Sequence, residues 1–336
     1  MGKTTRKYLP KSITQIENNI YFCGMSYVPP YKITPRIVAL VAKIGEAVGS
    51  FNAQEELRLH RINRIKTIHG SLAIEGNTLT TDQITAILDG KPVIAPIDEV
   101  QEIRNAIKAY ELLDELNPAS MDDLLKAHLT MEAGLIDDAG RFRKGAVGVA
   151  SGDEVIHYAP PAERVPYLMR DLFDWLGETE EHPLIKSCIF HYEFEFIHPF
   201  SDGNGRTGRL WQTLILSKWR PVFKNLPIEN IVYKYRKEYY HAIAVSGGTD
   251  GCWPFIEFIL GVIDETLTTE TGTPPTTRDK ILEQMQADPK ITRNELAAIL
   301  GLTPDAIKYH LQKLTAEGII TRQGSARSGY WVVAGN

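Results

Sequence analysis

The sequence predicts a mainly α fold: a large helical domain carrying one β-hairpin, then a small C-terminal domain of three helices and two strands. Three observations carry this reading. Helical periodicity recurs through residues 34–267, as in the apolar face Ile37, Leu40, Val41, Ile44 and Val48. The segment Val147–Tyr158 has β-propensity on both sides of a Ser151-Gly-Asp153 turn. A Thr-, Gly- and Pro-rich stretch at 268–277 separates these from a different pattern at 278–336. Residues 1–33 stand before them as an N-terminal arm.

Taken in order, Tyr27-Val-Pro-Pro-Tyr31 reads as an extended, packed part of that arm. Thr34-Pro35 opens the first helix, Thr as N-cap and Pro as first residue. Gln54 to Glu75 reads as helix, with Gly76-Asn77 as its C-cap. Glu75 then falls in a last turn, where the helix dipole disfavours an anion by a few tenths of a kcal/mol. A surface glutamate tolerates that, and so does a carboxylate facing a cation elsewhere in the fold. Short helices start at Thr81-Asp82 and at Pro96, and a third spans Pro118–Glu132. In the last of these Leu124, Leu125, His128 and Leu129 read as core positions, His128 as a packed histidine. A helix follows Pro160-Pro161 through Val165, Leu168, Leu172 and Trp175. Pro183 opens the next, with Ile185, Cys188, Ile189, Tyr192 and Phe196 as its apolar positions. Tyr239 and Tyr240 lie in a later helical pattern.

Composition bounds the class. The chain has 336 residues, 43% hydrophobic and 24% charged, as expected of a globular protein with one large domain or two. Its net charge of −5 gives no global reason to expect nucleic-acid binding. Residues 276–336 carry +2, eight Lys/Arg against six Asp/Glu. Cys23, Cys188 and Cys252 are scattered, which argues against a disulfide framework or a zinc site. No signal-peptide pattern and no membrane-length apolar run is present, so a cytoplasmic setting and no membrane partner are expected.

The most informative stretch is His198-Pro-Phe-Ser-Asp202-Gly203-Asn204-Gly205-Arg206-Thr207-Gly208-Arg209. Pro199 disfavours helix at His198, so the preceding helix ends there. Gly203 and Gly205 let backbone N–H groups approach a ligand. The run after Arg209 is helical, so the loop lies over a positive helix N-terminus. Arg206 and Arg209, three apart, share one face of it. Together they form an anion site with a base at its edge.

This stretch resembles the signature of the Fic family, HPF-x-[DE]-GNGR-x-x-R, at every position. The resemblance implies transfer of AMP from ATP to a Ser, Thr or Tyr hydroxyl of a target protein. It makes His198 the general base and Asp202 the Mg²⁺ ligand. Gly203, Asn204, Gly205, Arg206, Thr207, Gly208 and Arg209 would hold the ATP phosphates, and Tyr240 would border the adenine pocket. Ser71, Glu75 and Gly76 match the family's inhibitory motif [ST]-x-x-x-E-[GN], on a helix of about residues 54–77. Glu75 would then pair with Arg209 and block productive ATP binding. The hairpin at about 145–160 resembles the flap that receives the target segment by main-chain pairing. His157 would be structural to it. Doc-like kinases carry Lys at the second Gly of the loop, so Gly205 argues against a kinase.

Beyond the linker, Arg278–Ala287 reads as a helix, Thr292-Arg-Asn-Glu295 as a capping box opening a second, and Thr303-Pro304 as the start of a third. Ile319–Arg322 and Tyr330–Val333 read as strands. The order resembles a winged helix-turn-helix with residues 303–317 as recognition helix. Lys308, Tyr309, Gln312 and Lys313 are placed to meet DNA, although such modules also bind proteins or pack against a neighbour. A homodimer stays open. Two rival functions are a nucleotide-sensing transcriptional regulator and the reverse reaction, with Glu75 orienting water to remove AMP. The intact His198 favours the transferase, since binding ATP alone needs no base.

Overall fold

The computed structural model describes residues 27–49, 53–151, 154–247, 250–270, 277, 281–282, 284–285, 288–316, 319–323 and 329–333. The chain divides into two compact units, Met1–Glu270 and Thr271–Asn336.

In the first unit the elements are α1 (Pro35–Gly49), α2 (Ala53–Ile74), α3 (Thr81–Leu88), α4 (Ile97–Glu111), α5 (Met121–Met131), β1 (Gly148–Ser151), β2 (Glu154–Tyr158), α6 (Val165–Glu178), α7 (Pro183–Ile197), α8 (Asn204–Trp219), α9 (Ile228–Lys234), α10 (Arg236–Val245) and α11 (Trp253–Glu270). Helices α7 and α8 are buried on nearly every face, so they form the centre of the domain. Helices α6 and α11 pack on α7, α5 packs on α8, and α2 packs on α9. Phe190, Phe194, Phe200 and Trp211 are fully buried between them. Each such side chain contributes roughly 1.5–3 kcal/mol by leaving water.

Local chemistry sets the helix ends. Thr34 accepts from the Ile37 amide at 3.1 Å. Thr80 and Gln83 form a reciprocal capping box on α3, and the Ser120 side chain caps α5. His182 Nδ1 accepts from the Leu184 amide, with Pro183 first in α7. The described part of the N-terminal arm is packed as expected. Tyr27 donates to the buried Glu193 at 2.8 Å, and the Cys252 amide donates to Pro30 O at 3.0 Å. The rest of the arm, residues 1–26, lies outside the described residues.

Two expectations are corrected. Leu129 is 52% exposed, because α5 turns Leu124 and His128 inward and leaves Leu129 at its outer edge. Helix α11 continues to Glu270, three residues into the stretch read as linker. Its threonines 266, 268 and 269 donate to carbonyls four residues back, which satisfies them within the helix. The flap strands pair antiparallel as the hairpin reading expects, with a register slip between Val149 and Ala150. Their Gly152-Asp153 turn lies outside the described residues. Among the described residues no helix is long and apolar enough to cross a membrane.

The second unit contains α12 (Arg293–Leu300), α13 (Pro304–Ala316) and the antiparallel strands β3 (Ile320–Gln323) and β4 (Tyr330–Val333). Its core is built from Ile281, Met285, Leu296, Ile307, Leu311, Leu314 and Ile320. The expected capping box joins Thr292 and Glu295, and Gly301 ends α12 at φ +64°. Lys308, Tyr309, Gln312 and Lys313 are exposed on α13. Most of the expected helix 278–287 and of the linker lies outside the described residues.

Candidate active site

Helix α7 ends on His198, whose amide donates to Phe194 O at 2.9 Å. Pro199 keeps the helix from continuing, and His198 takes φ +50°, ψ +63°. It is the one non-glycine residue at positive φ among the described residues. A bulky side chain held there is strained by about 1–3 kcal/mol, so the surroundings must impose it. Arg143 does so. Its buried guanidinium donates to the carbonyls of His198 (2.7 Å), Ile197 (3.3 Å), Gly145 (2.8 Å) and Pro160 (2.6 Å), tying the base of the hairpin to the histidine corner. Burial lowers its pKa from the ordinary arginine value. The His198 ring places Nδ1 3.3 Å from Glu195 O. A carbonyl can only accept, so Nδ1 carries the proton and Nε2 keeps its lone pair.

The loop after it is shaped from below. The Asn204 side chain accepts from the Phe200 amide and donates to Phe200 O, both at 2.9 Å. It is 2% exposed, so it fixes the loop rather than facing an open site. Gly203 sits at φ +77°, and any Cβ there would strike the Glu132 carboxylate. His128, stacked on Phe200, accepts from the Gly140 amide through Nδ1 at 2.8 Å, so its Nε2–H donates to Asp202 O at 3.0 Å. Burial lowers its pKa to about 4. His128 is thus the packed histidine expected, and it props the loop.

Helix α8 then presents two buried arginines. Arg206 lies 3.1 Å from Glu132, 3.4 Å from Glu102 and 3.5 Å from Asp202, while its Nε and Nη1 make no hydrogen bond. Arg209 Nη2 donates to Ser71 O at 2.9 Å and to Glu75 Oε1 at 2.7 Å. Its Nε donates to Ser71 Oγ at 3.3 Å, and Nη1 is without a hydrogen-bond partner. Burial would lower the Arg209 pKa, and Glu75, Tyr239 and Glu195 more than offset it, so it lies above the usual arginine value. The Glu75 carboxylate occupies the space a side chain at 205 would need, directly over the first turn of α8. Thr207 is fully buried and Gly208 packs against Phe194 and Glu195, so these two face the core. Tyr240 is half-buried, 5.3 Å from the Tyr239 ring. Burial and the Glu75 charge raise its pKa above the ordinary tyrosine value.

Asp202 is the most open carboxylate here, 66% exposed, with Oδ1 accepting from the Gly203 amide at 2.6 Å. Among the described residues no cluster of three or more metal-ligating side chains exists. A single carboxylate suits Mg²⁺, which typically takes one or two carboxylates and fills its shell with phosphate oxygens and water.

Four residues of this site carry no motif in the sequence: Glu102, Glu132, Arg143 and Glu195. Only Glu132 has a local signal. Like Glu75, it is an acid at a helix C-terminus, and each pairs with one arginine of α8. Burial raises Glu132 to about 7, with Arg206 opposing.

Residues 118–216 match the Fic/DOC family, and residues 276–321 match a winged helix-turn-helix DNA-binding family. The protein adenylyltransferase fic-1 of Caenorhabditis elegans is 31% identical over 288 residues, 79% of this chain and 53% of that protein. Protein adenylyltransferase Fic of Drosophila willistoni is 29% identical over 69% of this chain and 47% of its own length. The chain therefore spans about half the length of the curated relatives it matches. The crystal structure of a Fic family protein from Desulfovibrio desulfuricans superposes with a TM-score of 0.71 at 42% identity, covering 92% of this chain and 99% of that one. With that match along nearly the whole chain, and an HPFSDGNGRTGR loop seated between α7 and α8, the chain belongs to the Fic family.

Proposed function

We propose that the protein transfers AMP from ATP to a Ser, Thr or Tyr hydroxyl of a target protein, itself included, and that Glu75 restrains the reaction. The observation that carries this is one short loop that joins His198, at the end of α7, to the N-terminus of α8, whose first turns carry the buried Arg206 and Arg209, with the Glu75–Arg209 contact over Gly205. The curated relatives, named protein adenylyltransferases, support it. The hydroxyl oxygen attacks the α-phosphorus, His198 Nε2 takes its proton, and diphosphate leaves. Positioned amides and guanidinium groups meet the charge that develops, which is most of what such a transfer asks of a protein. Asp202 would hold Mg²⁺, which when bound neutralises phosphate charge.

Glu75 now takes the guanidinium that would clamp the outer phosphate. ATP docking beside an engaged Arg209 would place its α-phosphate out of line with the hydroxyl. The β1–β2 hairpin, tied by Arg143 to the His198 corner, supplies an edge for an extended target segment. Free, buried Cys188 and Cys252 accord with a reducing cytoplasm. The test is incubation with ATP labelled at the α-phosphate plus Mg²⁺, then mass-spectrometric location of the label. Incorporation on a side-chain hydroxyl supports the reading, and its absence from every variant, Glu75→Gly included, removes it.

A second reading rests on the C-terminal unit. Its match to a DNA-binding winged helix-turn-helix, with Lys308, Gln312 and Lys313 exposed on α13, supports a protein that also reads DNA.

A further inference from the structure

Glu195 sits three residues before His198 on α7, is 4% exposed, and belongs to no motif used above. Its Oε2 lies 3.7 Å from His198 Nδ1. Its Oε1 has no hydrogen-bond partner. The nearest cationic candidate for Oε1, His191 Nε2, stands 3.8 Å away and is already 3.1 Å from the Tyr239 hydroxyl. The other ring nitrogen of His191 is held by Gln212 at 2.7 Å. The carboxylate is therefore enclosed by α7, α8 and Tyr239 with no direct hydrogen bond to a cation. Burial would push Glu195 up, but His191, His198 and Arg209 outweigh it and hold the carboxyl below the usual range. A buried carboxylate without a close cation is costly, and the His198 ring, 3.7 Å from Oε2, is the neighbour that would gain positive charge on accepting a proton.

We propose that Glu195 is a positioning residue for His198: its carboxylate faces Nδ1–H, holds the ring with Nε2 toward the substrate, and balances the imidazolium that forms during transfer. The inference rests on the adenylyl-transfer reading and deepens it. As the hydroxyl oxygen bonds to the α-phosphorus, the bond from that phosphorus to the bridging oxygen breaks and diphosphate departs. The hydroxyl proton moves to His198 Nε2. The ring then carries a full positive charge, and Glu195 Oε2 is the nearest side-chain anion on its Nδ1 side. An aspartate or glutamate behind a catalytic histidine is a recurring solution to that need. The Glu195 carbonyl alone orients the ring but supplies no negative charge, so the side chain is what the proposal tests.

The test is Glu195→Gln in the full chain, in the wild-type and Glu75→Gly backgrounds. Glutamine keeps the shape and removes the charge. In the Glu75→Gly background the rate of label transfer at saturating ATP should fall about 10- to 100-fold, with half-saturating ATP changed less than twofold. A merely structural role would instead move ATP binding and the melting temperature. The second readout needs no transfer. In protein labelled with ¹⁵N-histidine, His198 Nδ1 should give a low-field ¹⁵N–¹H signal, assigned by its loss in His198→Ala, which moves upfield in Glu195→Gln. An unmoved signal, or a transfer rate within twofold of the parent, overturns the proposal. If the Glu75→Gly parent transfers no AMP, the adenylyl-transfer reading fails, and the resonance still decides whether Glu195 is coupled to His198.

Discussion

Glu75 and Arg209 meet across 134 positions of sequence: Oε1 of the one accepts from Nη2 of the other at 2.7 Å. The contact lies over Gly205, at the point where α2 ends and α8 begins. Charge-assisted bonds of this length are among the strong ones. Arg209 is nearly buried while Glu75 is about a third exposed, so the carboxylate is the partner that can swing away. On the proposed reading, restraint and release depend on whether this contact holds, and so on where the end of α2 sits.

The seat of α2 is tight at Gly70, where an added Cβ would lie 2.5 Å from Asn230 N and 2.6 Å from Glu229 O. Gly70→Ala forces α2 away from α9. Overpacking of this kind typically costs 1–3 kcal/mol, so the thermal midpoint should drop by several degrees. Because Glu75 directly follows the last residue of α2, self-modification by the folded protein should rise. An unchanged melting curve would show that α2 accommodates the methyl group without moving.

Arg206 stands against Glu132, which is fully buried. Arg206→Ala leaves that carboxylate without its cation, and breaking a buried pair costs on the order of 3–5 kcal/mol. Adding Glu132→Gln removes the stranded charge, so the double mutant should regain most of the loss in urea unfolding. Additive effects of the two substitutions would mean that the residues are not energetically coupled.

His128 links the loop to pH. Burial holds its pKa at about 4, below the ordinary 6.5, so the native state favours the neutral ring. The unfolded chain binds the proton more readily, so stability is complete above about 6.5 and is lost as pH falls toward 4. A shift of this size corresponds to roughly 3 kcal/mol at most. Urea unfolding of wild type and His128→Gln should diverge between pH 6.5 and 4, with the variant flatter. Parallel curves would contradict the assignment.

Much of this site was legible because its chemistry is contiguous. The twelve residues from His198 to Arg209 hold base, loop and both arginines, and Pro199 marks the helix end. Glu75 was legible through its own motif and its place in a last helical turn. The acids behind the arginines and the histidine were not. Glu102, Glu132 and Glu195 lie in or beside ordinary helices, and only the packing of α5 and α7 on α8, with the reach of Glu102 from α4 to Arg206, brings them to the site. The family resemblance gives Asn204 to the phosphates, whereas in this structure both ends of its amide are used on Phe200. A side chain's address in a motif does not tell which way it turns.

For the C-terminal unit, affinity of the full chain for a specific duplex should fall steeply with added salt, because each Lys–phosphate contact releases counterions. Lys308→Ala with Lys313→Ala should weaken binding and flatten the salt slope by about two. Absence of a mobility shift with any genomic fragment at low salt would leave the unit as a protein-binding or packing module.

The most direct test of the central claim compares wild type, Glu75→Gly, Arg209→Ala and Glu75→Gly with His198→Ala at equal ATP and Mg²⁺. The measurement is incorporation of label from the α-phosphate, with γ-labelled ATP as control. The account predicts at least about tenfold more α-label in Glu75→Gly than in wild type, a barrier difference of roughly 1.4 kcal/mol. It predicts no activation in Arg209→Ala and near-complete loss when His198 is also removed, with γ-label absent throughout. Equal incorporation by Glu75→Gly and wild type, or transfer that survives His198→Ala within about twofold of its Glu75→Gly parent, would contradict it.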